Sequence, residues 1–149
     1  MKVSVNIEIA SSKEKVWAAI TDIENCVNFI SSIIDLELLN KPENKLVGLK
    51  WKETRLMFGK KASETMWITD AVENEYYCTR AESHGSVYIT EISLSEIEGN
   101  TLLTMSFAAQ AQGAFVKIIS AIMSVFIKGT MKKALDKDLE DIKEHIEQN

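Results

Sequence analysis

Residues 113–149 read GAFVKIISAIMSVFIKGTMKKALDKDLEDIKEHIEQN, and this stretch decides how the rest of the chain is interpreted. Its first half, residues 114–127, is mostly apolar, whereas its second half is mostly charged. Such a segment can anchor a protein in a membrane, pack as an ordinary core helix, or close over an apolar cavity. A membrane-spanning helix needs about 20 apolar residues. The apolar run is shorter, and Lys117 and Lys128 bracket most of it, so we expect no transmembrane segment.

The two halves of this stretch place their apolar side chains on different faces of a helix. At about 100° per residue, the first half has a broad apolar arc and the second half has a narrow stripe. The arc contains Phe115, Ile118, Ile119, Ile122, Met123, Val125 and Phe126, and the stripe contains Met131, Leu135, Leu139, Ile142 and Ile146. In a straight helix the two would lie on roughly opposite sides. We therefore expect a bend or break near Gly129 and Thr130, or a first half that forms a separate short segment.

The composition of the chain is that of one ordinary globular domain. It has 149 residues, of which 46% are hydrophobic and 26% are charged, and its net charge is −5. These values predict a single domain over residues 1–149 and argue against nucleic-acid binding, since no continuous Lys/Arg stripe is present. The N-terminal MKVSVNIEIA lacks the apolar core of a secretory signal, so we expect a cytoplasmic protein. Cys26 and Cys78 are interpreted as small buried hydrophobic residues.

Hydrophobic patterns predict an α+β protein with one antiparallel sheet. Residues 3–9 alternate between apolar and polar side chains, which is typical of a half-buried strand. A serine at position 11 or 12 then caps a helix that opens at residue 14 or 15, and a second short helix covers residues 24–31. Short turn sequences separate six further strands, which we expect at residues 33–39, 47–58, 62–70, 76–83, 86–96 and 101–109. A long C-terminal helix completes the order.

Three segments carry a resemblance to a known superfamily. They read VWAAITDIENCVNFISSI from Val16, VGLKWKETRLMFGKKASETMWITDAVE from Val47, and KGTMKKALDKDLEDIKEHIE from Lys128. Together with the order of elements, they resemble the START-like helix-grip fold of the SRPBCC superfamily over the whole chain, especially its polyketide cyclase/dehydrase and lipid-transport branch. The resemblance implies a curved antiparallel sheet of about seven strands around a long C-terminal helix, two short helices after the first strand, and a cavity between sheet and helix. Residues 26–31 lack the proline and tryptophan common in this branch, so we expect a differently shaped cavity entrance.

Strand alternation assigns side chains to the inside of this cavity. We place the face with Trp51 inward, and on the next strand we place Glu64 and Met66 inward and Trp67 outward. The assignment of Trp67 can be reversed, because it exposes a tryptophan. The expected ligand-binding side chains are Trp51, Glu53, Arg55, Met57, Glu64, Met66, Tyr88 and Phe107 from the strands, and Phe115, Ile119, Ile122 and Phe126 from the helix.

Three charged side chains, Glu53, Arg55 and Glu64, fall on the inward faces. A lone buried charge is costly, so we expect them to pair with each other. Two interpretations stay open: a polar patch that orients the carbonyl or hydroxyl of a ligand, or an ion-pair network at the edge of the sheet with no ligand role. Arg80 and Glu82 are interpreted as a solvated cross-strand pair.

The sequence contains no pattern typical of an established catalytic or metal site. HExxH and CxxC spacings and a glycine-rich phosphate loop are absent, so we expect no metal and no cofactor. His84 and His145 are both interpreted as solvated surface side chains, around which no Ser-His-Asp or Cys-His arrangement can be built. A cofactor-free cyclase that uses Glu53, Arg55 and Tyr88 stays open, since aromatic closures need little beyond shape and one acid or base.

Three hypotheses about function follow from the residues and the resemblance together. The first is binding or transport of a small hydrophobic molecule, such as a lipid, a quinone or a polyketide-like compound. The second is an enzyme of the polyketide cyclase/dehydrase type. The third is a protein-interaction module with a filled cavity, in which residues 115–126 form the face for a homodimer or a protein partner. In the first two hypotheses the same residues form a cavity wall.

Overall fold

The structure is a computed structural model that describes residues 2–57, 59–83, 85–111 and 114–148. It does not describe the side chains of Met57, Ala111 and residues 114–127. The predictions for His84 and for the side chains of five expected ligand-binding residues therefore lie outside the described residues: Met57, Phe115, Ile119, Ile122 and Phe126.

The described residues form one antiparallel sheet and a long C-terminal helix. The strands are β1 (Lys2–Ile9), β2 (Ile33–Asn40), β3 (Lys50–Met57), β4 (Lys60–Val72), β5 (Tyr76–Ser83), β6 (Ser86–Ile97) and β7 (Asn100–Ala111). The helices are α1 (Lys13–Thr21), a 3₁₀ helix (Ile23–Asn28) and α2 (Ala114–Glu147). The strand order in the sheet is β1-β7-β6-β5-β4-β3-β2, and every pair is antiparallel. This architecture confirms the predicted α+β class and the predicted order of elements.

Most predicted boundaries lie within two residues of the observed ones, but two differ by three residues, and local hydrogen bonds give the reason. The strand predicted from residue 47 begins at Lys50, because residues 46–49 form a turn in which the Leu49 N–H donates to the Leu46 carbonyl at 2.9 Å. The second predicted helix is a 3₁₀ helix that ends at Asn28 instead of residue 31. The backbone N–H groups of residues 29 and 30 both donate to the Cys26 carbonyl, and these bonds close its last turn.

Helix α2 is 34 residues long and continues through Gly129 without interruption. The predicted break and the predicted separate segment are therefore wrong, because one glycine costs a helix about 1 kcal/mol without ending it. A bend at this position stays a prediction. The narrow apolar stripe is confirmed, since the buried side chains of the second half include Leu135, Leu139, Ile142 and Ile146. Among the described residues, no helix has the length and apolar character needed to cross a membrane.

Two hydrogen bonds hold the end of α2 against the end of β1. The Lys143 ammonium donates to the Glu8 carbonyl at 2.6 Å, and the Ala10 N–H donates to a Glu147 carboxylate oxygen at 2.8 Å. The Lys143 ammonium also bonds the Glu147 carboxylate at 2.7 Å, one helical turn away. Because these contacts fix the helix end, the apolar stripe of α2 is held against the inner face of the sheet.

Helix α1 covers a second part of the inner face. Ser12 caps it by accepting a hydrogen bond from the Lys15 N–H at 3.2 Å, as the sequence predicts for a serine at this position. Its Trp17 packs edge-to-face on Tyr77 of β5, with ring centroids 6.0 Å apart. The Tyr77 hydroxyl donates to the Ile20 carbonyl at 3.2 Å, which satisfies the only polar atom of a buried side chain. This arrangement locks α1 to the middle of the sheet.

Gly48 precedes β3 and adopts a conformation that L-amino acids rarely take. Its φ is +96°, and a Cβ at this position would lie 3.3 Å from Cγ of Pro42. We expect Gly48→Ala to lower the free energy of unfolding by about 1–2 kcal/mol, because alanine is strained at positive φ. Urea denaturation followed by far-UV circular dichroism measures this change.

Gly129→Ala is the matched control for this substitution. Gly129 lies in α2, and among the described residues the added Cβ meets nothing within 4 Å beyond its chain neighbours and the adjacent helix backbone. Alanine is the better helix former, so this variant should gain up to about 1 kcal/mol. Two variants that change stability in the same direction would contradict the conformational explanation.

Candidate functional site

A cavity of about 340 Å³ lies between the inner face of the sheet and the surrounding helices. Most of its wall is apolar, and its volume falls at the lower end of the range of about 300–1,000 Å³ that small-molecule sites occupy. The described residues that line it include side chains from strands β2 to β7, from α1, from the 3₁₀ helix and from α2: Ile20, Ile23, Cys26, Phe29, Ile30, Ile33, Leu36, Trp51, Glu53, Arg55, Ala62, Glu64, Met66, Tyr77, Thr79, Ala81, Tyr88, Thr90, Ile92, Met105, Phe107, Met131, Ala134, Leu135, Asp138 and Ile142.

The expected ligand-binding residues on the strands lie together on this wall wherever their side chains are described. They are Trp51, Glu53, Arg55, Glu64, Met66, Tyr88 and Phe107. Tyr88 and Phe107 stack across β6 and β7 with ring centroids 5.8 Å apart, and both rings line the cavity. Their contact with a ligand stays a prediction.

The outward assignment of Trp67 is confirmed. Its neighbour across the β3–β4 ladder is Lys50, whose ammonium lies 5.8 Å from the centroid of the indole ring on the outer face of the sheet. A cation over an indole face is attracted to it, and the lysine stem covers part of the ring. This contact explains how a tryptophan can point away from the core.

A group of charged and polar side chains interrupts the mostly apolar wall, and we call Ser32, Glu53, Arg55 and Asp138 the Arg55 cluster. The Arg55 guanidinium bonds a Glu53 oxygen through Nε at 2.5 Å, and it bonds an Asp138 oxygen through Nη1 at 2.7 Å. Nη1 also donates to the Ser32 hydroxyl at 2.9 Å, which in turn donates to the second Asp138 oxygen at 3.0 Å. The indole N–H of Trp51 donates to the second Glu53 oxygen at 3.3 Å. The predicted pairing of Glu53 with Arg55 is therefore confirmed.

Burial and neighbouring charges shift the pKa values of two members of the Arg55 cluster, Asp138 and Arg55. Burial raises the pKa of the Asp138 carboxyl above its usual value, although Arg55 and the Ser32 hydroxyl act in the opposite direction. For Arg55, burial lowers the guanidinium pKa, but the Glu53 and Asp138 carboxylates outweigh this effect and raise it. Arg55 is thus permanently charged, whereas Asp138 is the carboxyl that burial pushes towards its neutral form.

Asp138 and Ser32 are functional-site candidates that the sequence interpretation missed. The side chain of Asp138 is only 3% exposed, although it lies in the mostly charged second half of α2. A signal was available, because Asp138 lies three residues after Leu135 and four before Ile142, which places it on the apolar stripe. An acidic residue within such a stripe indicates a buried partner on the facing element.

A second aspartate on the same helix holds the segment that leads into β2. One Asp141 oxygen accepts hydrogen bonds from the Ser31 N–H at 2.9 Å and from the Ser31 hydroxyl at 2.8 Å. The other Asp141 oxygen bonds the Lys137 ammonium at 2.6 Å. Asp138 and Asp141 therefore bind the adjacent serines 32 and 31, and α2 is joined to the cavity wall at two successive residues.

The family relationship of the chain agrees with this geometry. The family described as "Polyketide cyclase / dehydrase and lipid transport" matches residues 1–147. The chain belongs to this family. Membership, together with the helix-grip architecture, supports a role in hydrophobic-ligand binding or in a cyclase reaction. Comparison with curated proteins gives no match.

Solved structures share the fold at low sequence identity. A START superfamily protein from Mycobacterium smegmatis has a TM-score of 0.81 and 15% identity, with 99% of this chain and 97% of that chain covered. Zhui aromatase/cyclase from Streptomyces sp. R1128 has a TM-score of 0.77 and 13% identity, with coverage of 99% and 94%. A conserved protein from Geobacillus kaustophilus has a TM-score of 0.75 and 20% identity, with coverage of 99% and 96%. Such likeness shows the fold alone and confirms the predicted helix-grip fold.

The two cysteines of this family member differ in their surroundings. Cys26 is buried on the cavity wall, as predicted, and burial raises the pKa of its thiol to about 12, with Glu53 adding to the effect. The same prediction is wrong for Cys78. Its side chain is only half-buried, and its Sγ lies 3.9 Å from a Glu91 oxygen across the ladder, because residue 78 falls on the outward face of β5.

Two surface predictions need correction. His145 is half-buried instead of solvated, because its ring stacks on Phe29 with centroids 4.0 Å apart and planes within 3° of parallel. Arg80 and Glu82 form an exposed ion pair of 2.6 Å, but they lie two residues apart on β5 and do not pair across strands. Among the described residues, no group of three or more potential ligands can hold a metal ion.

Removal of the Arg55 guanidinium leaves two buried carboxylates without their cation. We expect Arg55→Met to lower the free energy of unfolding by about 3 kcal/mol, because an uncompensated buried charge is strongly unfavourable. Arg80→Met removes a similar ion pair from the surface and should cost less than about 1 kcal/mol. Urea denaturation of both variants at neutral pH gives the comparison, and equal losses would show that the Arg55 cluster does not contribute through burial.

Asp141 should contribute to acid unfolding. Burial acts to raise the pKa of its carboxyl, but the bonds from Lys137 and Ser31 outweigh burial and lower the pKa in the folded state. A lowered folded-state pKa gives stability that is present above the unfolded pKa of about 3.9 and is lost as the pH falls through the folded value. We expect Asp141→Asn to lower the free energy of unfolding by about 1–3 kcal/mol at neutral pH. The difference between this variant and the unsubstituted protein should shrink below about pH 4.

Asp136→Asn is the matched control for the acid experiment. Asp136 lies on the same helix and pairs with Lys132 at 2.8 Å, but both side chains are well exposed. Asp136→Asn should change the free energy of unfolding by no more than about 0.5 kcal/mol at every pH. Unfolding followed by circular dichroism between pH 3 and pH 7 measures both variants, and a loss in Asp141→Asn that does not change with pH would contradict the linkage.

Proposed function

We propose that this protein binds a small, largely hydrophobic molecule in the cavity between its sheet and α2, and that it stores or transports this molecule. The observation that carries the proposal is the combination of a cavity of about 340 Å³ with a hydrogen-bonded charged cluster on a mostly apolar wall. Small-molecule sites commonly combine an apolar lining with a few convergent polar groups. Family membership supports the same role, since the family description includes lipid transport.

A protein core that binds no ligand would not need a cavity of this size. Protein interiors pack to the density of organic crystals, and an empty space of this size costs stability in proportion to its volume. The wall also contains small side chains, such as Ala62, Ala81 and Ala134, at positions where larger ones would fill the space. We infer that the cavity holds a ligand, and that the apolar part of this ligand contacts the aromatic and aliphatic side chains of the wall.

The first test is native mass spectrometry of protein purified from its own host without organic solvent, followed by extraction and identification of any bound molecule. A mass increment near one equivalent from a lipid, quinone or polyketide-like compound is the expected result. A clean mass of the bare chain, together with no thermal shift in a panel of hydrophobic compounds, would favour the filled-cavity interaction module instead.

A pair of alanine substitutions tests the location of the site. Ala81 is buried on the cavity wall between Met66 and Tyr88, whereas Ala108 lies on the outer face beside Lys2. Ala81→Leu should weaken binding of the uncharged dye Nile red by about tenfold or more, because the added carbons occupy ligand space. Ala108→Leu should bind the dye as the unsubstituted protein does. Equal dye affinity in the two variants would place binding outside the cavity.

A cyclase function is the second candidate, and the state of Asp138 favours it. A carboxyl whose pKa is raised by burial can donate a proton to a carbonyl oxygen when a carbon–carbon bond forms. If a polyketide-like compound co-purifies, its conversion can be followed by mass, because ring closure with dehydration removes one water. Asp138→Asn removes this acid and should then abolish turnover. Replacement of Glu53 and Arg55 together by Gln should do the same, because it removes the Arg55 guanidinium that bonds Asp138. Turnover that survives this double substitution would exclude them from the reaction.

A further inference from the structure

The charge of the Arg55 cluster limits the kind of ligand that the cavity can accept. The cluster contains one guanidinium and two carboxylates, so its charge is −1 when both acids are ionised and zero when one of them holds a proton. The net charge of the cluster is therefore zero or negative whenever at least one of its two carboxyl groups is ionised. A ligand carboxylate would therefore meet an Arg55 guanidinium whose charge is already balanced by Glu53 and Asp138. Removal of the ligand charge from water is unfavourable, and no ion pair in the cluster would compensate for it.

The hydrogen bonds within the cluster show which of its polar atoms are already engaged. All four carboxylate oxygens of Glu53 and Asp138 already accept a hydrogen bond, from Trp51, Ser32 or Arg55. The bonds of Arg55 use Nε and Nη1, and Nη2 takes part in none of them.

Arg55 is also the most accessible charged member of the cluster. Its side chain is 24% exposed, compared with 9% for Glu53 and 3% for Asp138, and it lines the cavity. The cluster therefore offers a ligand a hydrogen-bond donor without a net positive charge, which suits a neutral acceptor such as a carbonyl oxygen.

From this geometry we propose that the cavity selects neutral carbonyl compounds, such as ketones, quinones or esters, over carboxylates of the same carbon skeleton. The proposal rests on the proposed ligand-binding function and names the chemical class of its ligand. Glu64 is a third carboxyl group on the same wall, and a carboxyl group adds no positive charge to the cavity.

Matched pairs of compounds test this selectivity on the unmodified protein. Displacement of Nile red at neutral pH compares methyl laurate with laurate, and acetylnaphthalene with naphthoate. We expect the neutral member of each pair to bind at least about tenfold more tightly, and we expect the difference to shrink as the pH falls towards the pKa of the free acid. Carboxylates that bind as tightly as their neutral partners, or more tightly, would overturn the proposal.

A charge-neutralising substitution tests whether the Arg55 cluster is the cause. Asp138→Asn keeps the shape of the side chain and its ability to bond Arg55, and it removes one negative charge. The preference for methyl laurate over laurate should fall several-fold in this variant, whereas Asp136→Asn on the exposed side of the same helix should keep the full preference. An unchanged preference in a folded Asp138→Asn variant would assign the selectivity to another feature of the cavity.

The outcomes separate this proposal from the function on which it rests. If Nile red and all four compounds fail to bind and the native mass is that of the bare chain, the ligand-binding function itself is wrong. If the compounds bind and the carboxylates are preferred, the function stands and only the selectivity is wrong. Because the compound pairs are measured on the unmodified protein, the test does not depend on whether a variant folds.

Discussion

The ion pair between Arg55 of β3 and Asp138 of α2 joins the sheet to its closing helix across the cavity. The two residues are 83 positions apart in the chain, so their contact exists only when the sheet has formed and α2 has docked. A buried ion pair is costly unless its remaining donors and acceptors are satisfied. Ser32, Glu53 and Trp51 supply those partners. The position of α2 over the sheet, and with it the space between them, depends on this cluster.

Ser31 and Ser32, which precede β2, also join α2 to the rest of the fold. Ser32 belongs to the Arg55 cluster and Ser31 bonds Asp141, one helical turn further along α2. Phe29, Ile30 and Ile33 on either side of these serines line the cavity. Polar bonds from α2 thus set the position of an apolar part of the wall. The fold and the cavity depend on the same contacts, and a change in one of these aspartates alters both.

The structure also explains how a widely shared fold can be specific in one protein. Solved structures with 13–20% identity have nearly the same fold, so the fold alone does not choose a ligand. In this chain the cavity wall carries the charged side chains of the Arg55 cluster and Glu64 among mostly apolar groups. In this chain the cluster is neutral or negative overall and offers an arginine N–H. Under the proposed selectivity, this feature favours a neutral ligand over an anionic one.

The sequence by itself determined the order of elements, the antiparallel sheet and the inward faces of β3 and β4, because these follow from local periodicity and short turns. It also identified Glu53 and Arg55 as inward and paired, since alternation places both on one face and a lone charge cannot be buried there. The tertiary structure alone decided the partners of Asp138 and the stacking of His145 on Phe29. Each of these depends on a contact between distant segments. Local pattern reports which face of an element a side chain occupies, but the partner across the cavity is set only when the helix docks on the sheet.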